Sequence, residues 1–160
     1  MKVTAIYPGT FDPITNGHTD IVMRATCLFD NVIVAVAGST SKKTVFSLDE
    51  RVKMASKVLG DIENVEVSSF EGLVTDYAKS RDAGVIIRGL RAVSDFEYEF
   101  QMASMNRQLY AKTETAFLTP AEQFSYISSS LVREVASLGG DVSPFVHKDV
   151  MQALKKRLNG

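Results

Sequence analysis

The sequence predicts an α/β protein built around a doubly wound parallel sheet with helices on both faces. Five short apolar runs alternate with segments of helical periodicity along the whole chain. The most apolar runs, Val32 to Ala37 (Val-Ile-Val-Ala-Val-Ala) and Val85-Ile86-Ile87, are continuous rather than alternating, as in strands covered on both faces. Between the first run and the first helix lies Tyr7-Pro8-Gly9-Thr10-Phe11-Asp12-Pro13-Ile14-Thr15-Asn16-Gly17-His18, a strand-to-helix turn whose prolines and glycines impose an irregular backbone. The 160 residues suit a single domain, 1–160, that can bury a core without disulfides or structural metal.

Each element has its own signal. Val3 to Ile6 reads as the first strand and Asp20 to Leu28 as the first helix, with Ile21, Ala25 and Leu28 at helical spacing. Asn16 and Gly17 suit the cap and first turn of that helix, which puts His18 beside its N-terminus. After the second strand, Gly38 to Thr44 is a polar loop carrying Lys42 and Lys43. Ser47 and Glu50 have capping-box spacing, and Leu48, Val52, Ala55 and Leu59 form one helical face that stops at Gly60. Val65 to Val67 is a third strand, followed by a helix with Leu73, Val74, Tyr77 and Ala78 inward that ends near Gly84. The fourth strand, Val85 to Ile87, runs into Arg88-Gly89-Leu90-Arg91. Ser94 and Glu97 repeat the capping-box spacing at the head of a helix reaching about Tyr110, with Phe96, Phe100, Ala103 and Met105 as its apolar side. Thr115 to Leu118 is the fifth strand, closed by Pro120. Serines 128 to 130 lead a helix with Leu131, Val135 and Leu138 at helical spacing, ended by Gly139-Gly140. Ser143-Pro144 opens the last helix, with Val146, Val150, Leu154 and Leu158 inward.

Composition excludes several classes of function. A formal net charge of -1 and a pI near 6.1 leave no global basic field for a nucleic-acid backbone. No run approaches the roughly 18 apolar residues of a membrane span, and no signal-peptide pattern opens the chain, so a soluble cytoplasmic protein is expected. Cys27 has no partner for a disulfide and is expected to pack. Lys53-Met54-Ala55-Ser56-Lys57 resembles the lysine-rich loop of class I aminoacyl-tRNA synthetases, but it falls in mid-helix and reads as a solvated face.

The turn before the first helix brings unpaired amides, the positive end of a helix dipole and an imidazole into one small volume, a site for an anion such as phosphate. Arg88, ending a buried strand, must lead its guanidinium to a carboxylate, a carbonyl or a phosphate. Three serines at a helix start supply hydroxyls and free amides, although one serine suffices for a cap. Lys42 could be merely solvated, and Phe124 and Tyr126 could stack on a base or simply pack.

Gly9-Thr10-Phe11-Asp12-Pro13 followed by Thr15-Asn16-Gly17-His18 resembles the signature of the nucleotidyltransferase superfamily, Thr15 to His18 matching its T/H-x-G-H element. With Arg88-Gly89-Leu90-Arg91 and Ile127-Ser128-Ser129-Ser130 in that order, the chain resembles the bacterial phosphopantetheine adenylyltransferases over its whole length. The resemblance implies a Rossmann-like, five-stranded sheet of order 3-2-1-4-5, in which strands one and four flank the switch point where ligands bind. It implies adenylyl transfer from ATP to 4'-phosphopantetheine, giving dephospho-coenzyme A and pyrophosphate. Mg²⁺ would accompany ATP, coenzyme A is a candidate inhibitor, and the assembly would be a homohexamer.

By match to the motifs, Thr10 and His18 would contact the α- and β-phosphates, beside Phe11, and Lys42 and Arg88 would hold the acceptor phosphate. Arg91 and Ser128 to Ser130 would take the triphosphate tail. Gly89, Leu90 and Arg91 with Phe124, Ser125, Tyr126 and Ile127 would face the adenosine, and Glu99 the ribose or adenine edge. Val74, Met102 and Asn106 would line the pantetheine arm. The acceptor is already an oxyanion, so the absence of a nucleophile-base pair fits the chemistry. His18 is expected to be neutral in the free protein through the helix dipole and to gain a proton when triphosphate binds. The alternatives are another nucleotidyltransferase, acting on nicotinate mononucleotide or as a cytidylyltransferase, and a sensor that binds ATP without turnover.

Overall fold

The computed structural model describes residues 1–38 and 43–159. Strands β1 (Thr4–Gly9), β2 (Asn31–Ala37), β3 (Val65–Phe70), β4 (Val85–Gly89) and β5 (Glu114–Leu118) form one sheet in the order β3-β2-β1-β4-β5, with every pairing parallel. Around it lie α1 (Asn16–Thr26), α2 (Leu48–Leu59), α3 (Val74–Ser80), α4 (Val93–Leu109), α5 (Ser129–Ser137) and α6 (Lys148–Asn159), with a 3₁₀ turn at Glu122–Phe124. The Rossmann-like class and strand order are those expected.

Alternation along the strands divides the core between two faces. Ala5, Tyr7, Val32, Val34, Val36 and Ile87 pack with buried residues of α1, α2, α5 and α6, including Ile21, Leu59, Val132 and Leu154. On the other face Ile6, Ile33 and Ala35 pack with Ala78, Ala83 and, less buried, Val74, Tyr77 and Tyr110.

The departures from expectation concern boundaries and faces. β1 continues through Pro8 to Gly9, although proline is unusual in a central strand. Its pairing with β4 stops at Ile6–Ile86, however, and the Pro8 carbonyl is turned toward Arg88, so the missing N–H lies on a side that needs no donor. α1 begins at Asn16 because Thr15, not Asn16, is the cap. The Ser47–Glu50 capping box forms as read. The one at Ser94–Glu97 does not, because α4 starts earlier, from Ala92, and both residues lie inside it. α5 buries Val132 and Ala136, leaving Leu131 and Leu138 exposed. Cys27 and Leu28, past the end of α1, are exposed rather than packed. α6 starts only at Lys148, after the buried Val146. On α4 only Glu99 and Asn106 are buried, and Phe96, Phe100 and Met105 face outward.

Candidate active site

β1 pairs with β4 at Ala5–Val85 and Ile6–Ile86 and no further, so the carboxyl ends of the two central strands part. The opening is a crevice of about 210 Å³. β1 and its turn contribute Tyr7, Pro8, Gly9 and Phe11, α1 contributes Gly17 and His18, and β4 contributes Arg88 and Gly89. Arg91, Phe124, Ile127, Ser128 and Ser129 also line it. The three sequence motifs therefore meet at the switch point, where a doubly wound sheet places its ligand.

Local chemistry fixes His18. Thr15 caps α1: its hydroxyl accepts the His18 amide at 3.4 Å, and its own N–H donates to Nδ1 of His18 at 3.0 Å. This is a capping box with imidazole in the place usually taken by Glu or Gln. Because Nδ1 accepts, the ring proton sits on Nε2, the nitrogen left to serve the crevice. The Phe11 ring meets the imidazole edge-on at 4.9 Å. Phe11 holds φ at 50°, an uncommon backbone for a side-chain-bearing residue, and a Cβ on Gly9 would lie 3.0 Å from its ring. Burial pushes the His18 pKa down to about 4, with the Arg91 guanidinium adding to the shift. His18 is thus neutral in the free protein as expected, but chiefly through burial. Uptake of a proton on Nδ1 would break the capping hydrogen bond, which disfavours the expected protonation on nucleotide binding.

Arg88 reaches Glu99 through a two-point contact, Nε to Oε2 at 2.9 Å and Nη2 to Oε1 at 2.7 Å, and Nη1 lies 3.4 Å from the Pro8 carbonyl. The Glu99 hydrogen bonds raise the Arg88 pKa. Glu99, expected on the ribose or adenine edge, has both oxygens on Arg88 and acts first as its counter-ion. Beyond this pair lies a second, more apolar cavity of about 130 Å³, whose lining includes Val74, Met102 and Asn106. Arg88 lines both cavities and so stands at their junction.

The remaining residues divide. Arg91 is anchored by Nη1 on the Ile127 carbonyl at 2.9 Å, which ties the β4 end to the serine segment. Ser128 is the N-cap of α5, its hydroxyl accepting the Leu131 amide; Ser129 donates to the Pro13 carbonyl, and the Ser130 hydroxyl accepts from Arg133. Each hydroxyl thus has an internal partner, and the first-turn amides of Ser129 and Ser130 are the groups left for an anion. Phe124 lines the crevice, while Tyr126 is exposed and meets Phe145 edge-on, away from it. Thr10, Leu90, Ser125 and Ser130 do not line the crevice. Lys42 lies outside the described residues.

Three residues were not singled out from the sequence. Arg51, 2% exposed, donates to the carbonyls of Phe46, Thr10 and Ala37, tying the ends of β1 and β2 to the head of α2. Its signal was an arginine four and eight residues before the buried Ala55 and Leu59. Asp12, 3% exposed, accepts the amides of Val45 and Phe46, and Arg133 donates to the Asp12 carbonyl at 2.6 Å. Among the described residues no group of three or more His, Cys, Asp or Glu side chains could hold a metal.

Residues 6–135 match the sequence model of the Cytidylyltransferase-like family. The chain is 63% identical over 158 residues to the phosphopantetheine adenylyltransferase of Thioalkalivibrio sulfidiphilus, covering 99% of each, and 62% identical over 152 residues to that of Nitrosomonas eutropha, covering 95% of this chain and 93% of the relative. The solved Plasmodium falciparum nicotinic acid mononucleotide adenylyltransferase superposes with a TM-score of 0.73 over 99% of this chain and 97% of its own, at 14% identity, a likeness of fold. With motif order, strand order and full-length identity in agreement, the chain belongs to the phosphopantetheine adenylyltransferase family of the cytidylyltransferase-like nucleotidyltransferases.

Proposed function

We propose that the protein transfers the adenylyl group of ATP to 4'-phosphopantetheine. The observation that carries this reading is the pair of cavities that share Arg88, a crevice rich in hydrogen-bond donors for phosphate and a more apolar one suited to a flexible thiol-bearing arm. The acceptor phosphate oxygen attacks the α-phosphorus in line. The bond from that phosphorus to the bridging oxygen of the β-phosphate breaks, and pyrophosphate leaves with the electron pair while dephospho-coenzyme A forms. No proton has to be removed from the nucleophile. Catalysis rests on positioning and on donors aimed at charge developing in the transition state.

In this reading the neutral His18 donates from Nε2 to the transferring phosphate. Arg88, oriented by Glu99, and Lys42 clamp the acceptor phosphate, while Val74, Met102 and Asn106 receive the pantetheine arm. Arg91 and the first-turn amide of Ser129 hold the triphosphate, and Phe124 and Ile127 flank the adenosine. Mg²⁺ is proposed to enter with ATP, held by phosphate and water oxygens, which suits a crevice whose described lining includes no Asp or Glu. Bound there, it would neutralise triphosphate charge. We place the reaction in the cytoplasm and the chain in a homohexamer, and take coenzyme A, built like the product, as an inhibitor competing for both cavities.

The test is pyrophosphate release from ATP with 4'-phosphopantetheine and, separately, with nicotinate mononucleotide. Turnover should require the former. Turnover with only the latter, or ATP binding without turnover, would refute the assignment.

A further inference from the structure

Tyr7 is the first residue of β1 beyond its last pairing with β4. Its ring is core: the residue is 6% exposed, and the ring meets Phe11 edge-on at 5.4 Å and stands 6.3 Å from the His18 ring. The hydroxyl leaves this packing at the crevice wall, where it would lie 3.7 Å from a Cβ on Gly89. It makes no hydrogen bond to any described residue. The charged groups that act on it are the guanidinia of Arg88 and Arg91, which are donors only. The hydroxyl is not among the described side-chain groups sealed from solvent without a partner, so it opens onto the crevice, where an acceptor on a bound ligand can take the place of water. The packing itself does not need the hydroxyl, since phenylalanine would make the same ring contacts. Burial also holds the phenol above its ordinary range, so it remains protonated and able to donate.

We propose that the Tyr7 hydroxyl is a further catalytic residue, donating a hydrogen bond to an oxygen of the bound nucleotide beside the phosphate being transferred. The assignment to the nucleotide rather than the acceptor arm follows from placement. Tyr7 lines the crevice with His18, Gly89 and Ser129 and takes no part in the cavity of Val74, Met102 and Asn106. The inference rests on the preceding reading that ATP occupies the crevice.

Tyr7→Phe tests it, because the substitution removes one oxygen and keeps the ring. The variant should keep the Tm of the wild type in the absence of ligand, keep KM for 4'-phosphopantetheine, and lose about tenfold to a hundredfold in kcat/KM for ATP, the range for a hydrogen bond to a charged group. Unchanged kinetics, or a loss confined to the KM of the acceptor, would overturn the proposal. A second arm is independent of the acceptor. In protein carrying ¹³C at tyrosine Cζ, the Tyr7 resonance, assigned by its absence from Tyr7→Phe, should shift on addition of ATP with Mg²⁺ and not on addition of 4'-phosphopantetheine alone. A resonance indifferent to ATP overturns it. If the wild type bound ATP and shifted this resonance but transferred nothing to 4'-phosphopantetheine, only the reading of the acceptor would fall.

Discussion

At the scale of single residues the crevice is governed by what each polar group already holds. Arg88 illustrates this: the Glu99 contact fixes the plane of its guanidinium, leaving the remaining N–H groups to meet an anion at the junction of the cavities. Lysine there would restore the charge but neither the fork nor the two-point pairing. Arg88→Lys should therefore lower kcat/KM for 4'-phosphopantetheine by at least tenfold, and an unchanged value would remove Arg88 from the acceptor site. His18 allows a prediction about pH. Its folded pKa near 4 lies below the ordinary 6.5, so the unfolded chain binds the extra proton between these values. The stability linked to this group is therefore complete above about pH 6.5, declines as pH falls toward 4, and is gone below. At about 1.4 kcal/mol per unit the whole window amounts to about 3 kcal/mol. Glutamine suits the same capping-box position and does not titrate. Between pH 7.5 and 4.5 the wild type should lose about 2–3 kcal/mol more in urea unfolding than His18→Gln; equal losses would show that the imidazole is not kept neutral by its site.

Elements are positioned by main-chain groups as much as by side chains. The buried Arg51 joins β1, β2 and the head of α2 through three carbonyls, the framework on which the Gly9–Phe11 turn rests. Arg51→Met keeps much of the volume but leaves those carbonyls without donors, at about 1–3 kcal/mol each where no water can replace the lost bond. Chemical denaturation should show a loss of about 3 kcal/mol or more. A loss under about 1 kcal/mol would mean that the carbonyls find other donors. The same contrast explains what was legible from sequence. Strands and helices follow from apolar period, and the Ser47–Glu50 box and the contiguous Gly9–His18 and Arg88–Arg91 motifs from spacing along the chain. Arg51 was hidden because its partners are backbone carbonyls, which every residue possesses. Glu99 was assigned to ligand rather than to Arg88 because their 11-residue separation crosses from strand to helix. The Ser94–Glu97 spacing misled because a capping box depends on where the helix begins, and α4 begins after Ala92, which leaves both residues inside it.

For the whole molecule the informative element is α4, most of whose large apolar side chains lie outside the core. Its two buried residues are polar, Glu99 and Asn106, and both face the second cavity. Its outer surface carries Val93, Tyr98, Phe100, Met105 and Leu109, each more than half exposed in the single chain. Large apolar side chains left exposed along one helix of a single chain suit an interface. The proposed homohexamer gives it an occupant, further copies of the same chain. Because α4 also supplies Glu99, Met102 and Asn106 to the cavity, its burial between subunits would hold the Arg88 counter-ion in place, so assembly and activity should be lost together. Phe100→Glu combined with Met105→Glu places two carboxylates on that surface without touching a residue that lines either cavity. Light scattering should give the wild type six times the 17.6 kDa chain mass and the double variant a smaller species, with kcat/KM for 4'-phosphopantetheine reduced at least tenfold. A double variant that remained hexameric would remove this helix from the interface. A smaller species with full activity would show that each chain completes its own site.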